Sequence, residues 1–444
     1  MFSPDSLILH LHSLPAVPHY RVAYSGGLDF HVLLHALAAR RDRLPGELGA
    51  VHVNHGLHTA AADWAKHCEA VCHALDVPLV GLTADGRPGA GDSPEAAARA
   101  ARYTALAHWL PAGHGLLTAQ HRDDQAETLL LQLLRGSGVK GLAGMPAVAK
   151  LGSGLLLRPL LDFSRSELRA YADSHRLQWV EDPSNTDTGL DRNYLRQHIV
   201  PALRRRWPAV AQTLARSAQH CAEADRILEQ VASTDMEGLA GPAGDTLALA
   251  GVQRLSPERQ RNALRYWLQA RCGAAPSTAV LSRILHDVLA GRPDSSPCVR
   301  WADNEVRRYR DRLFLVRQRP AGHPGQRLSW SLNGNLELPG SGGMLHASHA
   351  TGRGLRANAI PGPVEVAFRQ GGERCRPAGR PHHHSLKKLF QEHGIPPWER
   401  PRIPLIFVGD ELAAVAGYWV CEPFSTAPGE PGISIEWSGR PASD

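Results

Sequence analysis

The chain has 444 residues, of which 43% are hydrophobic and 21% charged. At roughly 150 residues per domain, this length suggests two to four domains with sizeable apolar cores, and the composition excludes a collagen, a coiled coil and a disordered chain. The net charge is +6, and only five of the 49 basic residues are lysines. Arginine's planar fork suits phosphate, so this balance permits nucleic-acid binding without demanding it.

The N-terminus, MFSPDSLILHLHSLPAVPHY, has no basic region, and His10, His12 and Pro15 break its apolar stretch. No signal peptide is expected. No run reaches the ~18 apolar residues that cross a bilayer, so the expected compartment is the cytoplasm, with no membrane partner. Short apolar runs then alternate with helical patterns. Strands are predicted over 20–25, 48–53, 77–82, 115–119 and 155–160, and helices over 28–39, 61–75, 94–110, 123–134 and 164–175. Such alternation predicts an α/β fold with a parallel sheet covered by helices, and ligands outside the carboxyl ends of its strands. From 192 to 290 the pattern is helical and arginine-rich. Residues 337–363, rich in Gly, Ala and Pro, read as a linker or a loop-rich β segment. Beyond 364, short strand-like runs surround one basic helix, SLKKLFQEHG, which suggests a small α+β domain. The expected domains are 1–215, 216–355 (helical, with the linker) and 356–444.

The seven cysteines are scattered and form no C-x-x-C pair. This argues against a disulfide framework and against zinc, iron–sulfur or thioredoxin-like sites. Cys68 and Cys72, four apart on a helix, read as packed thiols. The strongest local signal is Ala23-Tyr24-Ser25-Gly26-Gly27-Leu28-Asp29-Phe30, between the first strand and the first helix. Its glycines permit a tight turn and a close ligand, and the helix start favours an anion. Asp29 can hold the Mg²⁺ that accompanies a polyphosphate. Neither a Walker lysine nor G-x-G-x-x-G is present. By itself the loop is also compatible with an ordinary strand–turn–helix connection.

Further polar residues fall at strand ends and helix starts. Asp124 and Glu127 share a helix face at i, i+3, where they also suit capping. Arg99 and Arg102 share a face in the same way. His52, His55 and His121 can be structural or can line a pocket. His382, His383 and His384 read as a solvated loop, since three adjacent imidazoles cannot face one ion from a regular element.

The glycine-rich turn resembles the PP-loop, S-G-G-x-D-S, of the N-type ATP pyrophosphatases, with Phe30 in place of the last serine. A phenyl ring offers no hydroxyl donor. Val51-His52-Val53-Asn54-His55-Gly56-Leu57, the Pro94–Tyr103 helix start, and Asp123-Asp124-Gln125-Ala126-Glu127 belong to one further pattern. So do Arg158-Pro159-Leu160-Leu161, Glu181-Asp182-Pro183-Ser184-Asn185, Arg192-Asn193-Tyr194-Leu195-Arg196, Gly372-Glu373-Arg374 and Ser385-Leu386-Lys387-Lys388-Leu389. Together they resemble the tRNA(Ile)-lysidine synthetase family, most strongly over 20–205 and least over 215–355.

The resemblance implies a Rossmann-like PP-loop ATPase fold. It also implies ligation of free L-lysine to C2 of the wobble cytidine of a tRNA(Ile) with a CAU anticodon, through an adenylated cytidine, with ATP and Mg²⁺. ATP binding falls to Ser25, Gly26, Gly27, Leu28, Asp29, Phe30, His52 and His121. Catalysis falls to Asp29, Asp124, Glu127, Arg102, Arg196 and His55, with the metal at Asp29. Arg192, Arg204, Arg205, Arg206, Arg265, Lys387, Lys388, Arg400 and Arg402 are expected on tRNA phosphates. A homodimer is compatible with this reading. Two alternatives stand beside it: a tRNA-binding PP-loop protein whose catalysis Phe30 impairs, and another PP-loop tRNA-modifying enzyme such as a thiolase. The thiolases most like this chain usually carry C-x-x-C pairs.

Overall fold

The structure, a computed structural model, describes residues 1–54, 61–87, 94–292, 296–317, 327–340 and 342–439, with backbone only at 94–96, 184 and 185. It divides into two compact units, Met1–Leu228 and Glu229–Asp444.

The first unit is built on strands β1 (His19–Ala23), β2 (Glu47–Asn54), β3 (Leu79–Thr83), β4 (His114–Leu117), β5 (Val148–Leu151) and β6 (Gly154–Leu157). They form one sheet in the order β3-β2-β1-β4-β6-β5. All pairings are parallel except that of β5 with β6, an antiparallel edge. Around the sheet run helices α1 (Pro4–His12), α2 (Leu28–Ala38), α3 (Ala61–Ala74), α4 (Pro94–Trp109), α5 (Arg122–Leu134), α6 (Val139–Leu142) and α7 (Arg165–Ser174).

Alternate strand residues serve opposite faces. Leu117 and Leu157 enter a core with Leu7, Leu33, Leu37, Cys68, Cys72 and Leu168 of α1, α2, α3 and α7. Their neighbours Leu116 and Leu156 enter a second cluster with Leu106 and Leu110 of α4. The expected strands and helices of this half are therefore present, with boundaries shifted by a few residues. Helix α1 was not expected. Yet Ser3 caps it with Ser6, Pro4 opens it, and Leu7, Ile8 and Leu11 line its buried side.

After α7 the chain enters one continuous helical run: α8 (Asp191–Tyr194), a π turn over Leu195–Ile199, and α9 (Val200–Arg206). Pro201 lies within it, and a proline removes an i→i−4 hydrogen bond. The wider turn immediately before it accommodates that loss.

A long helix, Val210–Met236, leads onward. In the second unit, helices Leu249–Gln253, Pro257–Cys272 and Thr278–Arg283 pack with the strands Thr246–Ala248, Cys298–Trp301, Asn304–Tyr309 and Arg312–Arg317. Their shared core holds Leu264, Trp267, Leu268, Ile284, Val299, Val306 and Leu313. A second core gathers two further sheets around the helix Leu386–Glu392, including Leu389, Phe390, Val366, Ile406 and Trp437. The Gly- and Pro-rich stretch after 337 is β structure: Met344–Thr351 pairs antiparallel with Pro431–Trp437.

Candidate active site

The turn Ser25–Phe30 leaves the carboxyl end of β1 and enters α2 at Gly27, which makes no side-chain cap. Gly26 has φ +82°, a conformation that disfavours any side chain. A Cβ there would lie 3.3 Å from Cys68 Sγ and 3.4 Å from Val180 Cγ2. Its carbonyl accepts a 2.9 Å bond from the Val180 amide, which pins the turn. His52 donates Nδ1–H to the Tyr24 carbonyl at 3.0 Å and braces the loop from β2. The amides of Gly27, Leu28, Asp29 and Phe30 find no acceptor among the described residues. They are the orphan donors of a helix start, aimed where the dipole favours negative charge.

Leu28 is buried in the core, and the Phe30 ring packs against that core. Toward an anion each of these two residues therefore offers its amide. Asp29 stands in the first turn of α2. Its Oδ2 lies 3.6 Å from His121 Nε2. Its Oδ1 is buried with no hydrogen-bond partner among the described residues. A buried, unsatisfied carboxylate oxygen is a hard ligand, and it fits the Mg²⁺ expected there.

Across the next strand, His121 caps α5. Its Nδ1 lies 3.3 Å from the Asp124 amide and 3.4 Å from Asp124 Oδ2, and the Asp124 carboxylate accepts the His121 amide at 3.0 Å. Burial alone would lower the imidazole pKa, but the carboxylates of Asp124, Asp29 and Asp123 together raise it. Burial works in the opposite direction on Asp124, whose carboxyl His121, Arg192 and Arg196 nevertheless hold below the ordinary range.

Glu127, only 2% exposed, is gripped by Arg196 through two bonds of 2.7 and 2.9 Å, and by Arg192 Nε at 2.9 Å. Arg196 Nη2 also reaches Asp124 Oδ1 at 3.0 Å, and Arg192 Nη2 reaches it at 3.4 Å. Burial disfavours the Arg196 charge, but Glu127, Asp124 and Asp29 outweigh it and raise the pKa. Asp123 is tied to Arg204 at 2.5 Å and to the Arg165 amide at 2.8 Å. The outcome is an amide cradle and an unpaired carboxylate oxygen beside a closed network of carboxylates and guanidiniums.

Residues 10–203 of the chain match the PP-loop domain family, 247–314 the TilS substrate binding domain, and 364–437 the TilS substrate C-terminal domain. The tRNA(Ile)-lysidine synthase of Coxiella burnetii is 43% identical over 438 residues, covering 98% of this chain and 97% of that one. The tRNA(Ile)-lysidine synthase of Methylococcus capsulatus is 47% identical over 425 residues, 94% and 96% of the two chains. The chain belongs to the tRNA(Ile)-lysidine synthase family. Among solved structures, a U34-tRNA thiolase, NcsA from Methanococcus maripaludis with its [4Fe-4S] cluster, is similar over 50% of this chain and 78% of its own, at 17% identity and a TM-score of 0.42.

In this lysidine synthase family member, the loop, His52, Asp29 and His121 lie at the carboxyl edge of the sheet, and the Asp124–Glu127 pair lies on the helix that His121 caps. His55 falls outside the described residues. Arg102 of α4 is half-buried; burial lowers its pKa and Arg99 pushes the same way, against Tyr103 and Asp182. Arg158 received no role from the sequence. It follows β6 directly, is buried, and donates to the Pro146 carbonyl at 2.7 Å; burial lowers its pKa, against the pull of Tyr103. Its signal was an arginine at a strand's carboxyl end.

Two of the arginines expected on tRNA are engaged within the protein. Arg192, half-buried, pairs with the acidic residues Asp124 and Glu127. Arg400 is 8% exposed and donates to the Ile395 carbonyl at 2.9 Å, a packing role. Arg204 is held by Asp123, and Arg265 is half-buried beside Asn262 Oδ1 at 3.2 Å. Arg402 is half-buried, whereas Arg205, Arg206, Lys387 and Lys388 are exposed. Among the described residues, no helix is long and apolar enough to cross a membrane.

Proposed function

We propose that the chain ligates free lysine to the wobble cytidine of a CAU-anticodon tRNA(Ile), with cleavage of ATP to AMP and pyrophosphate. The observation that carries this reading is the cradle of unsatisfied amides at Gly27–Phe30 beside the buried, unpartnered oxygen of Asp29. In the first step the cytidine O2 attacks the α-phosphorus of ATP and pyrophosphate leaves. Preorganised N–H donors stabilise charge that develops on departing oxygens. Phe30 still supplies its amide to that cradle, so the loop keeps its backbone donors and lacks only the hydroxyl of the family pattern.

Asp29 would hold Mg²⁺, which supplies charge neutralisation on the phosphates when bound. His121, with Nε2 toward Asp29 and Nδ1 toward α5, orients that carboxylate. In the second step the lysine amine attacks C2 and displaces AMP. The amine must be neutral when it attacks, and a carboxylate beside it can take its proton. Asp124 and Glu127 fit this role, with the incoming ammonium exchanging for the guanidiniums of Arg192 and Arg196. His55 is a further candidate for the proton. Arg102 and Arg158 place positive charge at the same edge of the sheet for phosphate contact.

The remaining exposed Arg and Lys residues would hold the tRNA body, with an affinity that weakens as salt rises. The cytoplasm, where free lysine and tRNA meet, is the proposed compartment, and a homodimer is compatible with this reading. The test is incubation with radiolabelled lysine, ATP and bulk tRNA. Label is expected in a CAU-anticodon species, with pyrophosphate release dependent on tRNA and AMP release dependent on tRNA and lysine together. Label in no tRNA, or AMP release indifferent to lysine, would overturn the proposal.

A further inference from the structure

The helical run from Asp191 to Arg206 uses its side chains in two ways. Arg192 and Arg196 turn inward to Asp124 and Glu127, Leu195 is buried, and the buried Asn193 donates to the Asp187 carbonyl at 2.9 Å. Val200 is buried as well, Ile199 and Leu203 are half-buried, and the other side chains face solvent. Among the described residues, only two aromatic side chains stand with the exposed large apolar groups: Tyr194, within this run, at 49%, and Trp207, which caps its end, at 57%. Single exposed apolar residues are ordinary. Two exposed rings confined to one basic helical run and its C-cap are a pattern that calls for a partner.

The surroundings of Trp207 indicate what that partner is. Arg205 and Arg206 precede it, are exposed, and have no partner among the described residues. Arg204 is spent on Asp123, so it ties this end of the helix to the start of α5, where the acidic pair lies. The backbone of Trp207 is held: its amide donates to the Leu203 carbonyl at 2.8 Å and its carbonyl accepts from Val210 at 3.0 Å. A ring on a fixed backbone gives up little freedom when it is covered. Free guanidiniums beside an exposed aromatic face are the arrangement that binds unpaired nucleotides, since every base has a face to stack. An acidic peptide would use the arginines and leave the rings idle; a duplex hides the faces of its bases.

We propose that Trp207, flanked by Arg205 and Arg206, is a stacking platform for an unpaired RNA nucleotide, with Tyr194 serving a second one. The two rings are 13 residues apart, roughly 20 Å along a helix, too far for a single base. This inference rests on the RNA reading above and deepens it by naming the contact for the single-stranded part of the substrate.

The experiment compares binding of the full chain to an RNA hairpin with an open loop and to a duplex of the same length, without ATP or lysine. Trp207→Ala should weaken hairpin binding about tenfold and duplex binding less than twofold, because stacking is worth ~1–3 kcal/mol per base. Trp207→Phe should restore most of the loss. Arg205→Gln and Arg206→Gln should weaken both RNAs and each flatten the salt dependence by about one charge. Trp207 is exposed, so Trp207→Ala should leave the melting temperature unchanged. Equal loss on both RNAs, or no rescue by phenylalanine, overturns the stacking role. A wild-type chain that binds the hairpin and tolerates Trp207→Ala overturns this inference alone. A wild-type chain that binds neither RNA overturns it together with the function on which it rests.

Discussion

The loop at Ser25–Phe30 and the cluster around Glu127 sit in one unit and treat their polar groups in opposite ways. Among the described residues, the loop leaves amides and one carboxylate oxygen of Asp29 without partners, whereas both carboxylate oxygens of Glu127 are bound by guanidiniums. Buried polar groups in native proteins are nearly always paired. The unsatisfied loop therefore marks where a ligand completes the structure. The saturated cluster marks where a ligand must displace something already there.

Removing the carboxylate that waits for a partner gives the sharpest test of that contrast. Asp29→Ala should lower ATP-dependent pyrophosphate release by about 10²–10³ and leave the unfolding midpoint close to wild type. Full release would reduce the loop to an ordinary connection. On the other side of the comparison, Glu127→Gln strips the charge that holds two half-buried guanidiniums. Breaking such a pair is expected to cost about 3 kcal/mol in denaturant unfolding, because it leaves uncompensated charge. A variant as stable as wild type would show that the cluster is not a structural pairing.

Beneath the loop, burial holds the His31 imidazole neutral and lowers its pKa to about 4, with His67 and His35 acting the same way against the Gln178 backbone. The unfolded chain, with a histidine pKa near 6.5, takes up this proton first. The stabilisation is thus full above pH 6.5 and is lost as pH falls through about 4. About 2 kcal/mol should disappear between pH 7 and 5 in urea titrations, and His31→Phe should remove this part of the dependence. The smallest effect is expected at Phe30. Phe30→Ser restores one hydroxyl donor, worth ~0.5–1.5 kcal/mol, and should lower the KM for ATP or raise kcat by a few-fold. Steady-state kinetics unchanged in both would show that the hydroxyl is not what this loop lacks.

Much of the first unit could be read from the chain because its signals are local. The period of the apolar residues marked β1 to β4 and their helices, and two glycines before Asp29 marked the turn. Helix α1 was legible in principle, since Ser3-Pro4 opens it, but a short apolar segment at the start of a chain invites other readings. The hairpin Asn304–Tyr309 with Arg312–Arg317 carries five arginines. That charge masked an alternation whose buried members are few. In the site, the motif says which residues stand at the loop and not which atoms face a ligand: Leu28 and Phe30 turn their side chains to the core.

The sequence by itself determined the sheet, the family and the position of the glycine turn, because period, turn chemistry and motif spacing act over a few residues. Only the tertiary structure decided how the charges are shared. Arg192 and Arg196 stand more than sixty residues beyond Glu127, and no local rule distinguishes them from Arg205 and Arg206. Burial makes that distinction: a guanidinium is held inside where a carboxylate offsets its lost hydration, and it stays in water where none does.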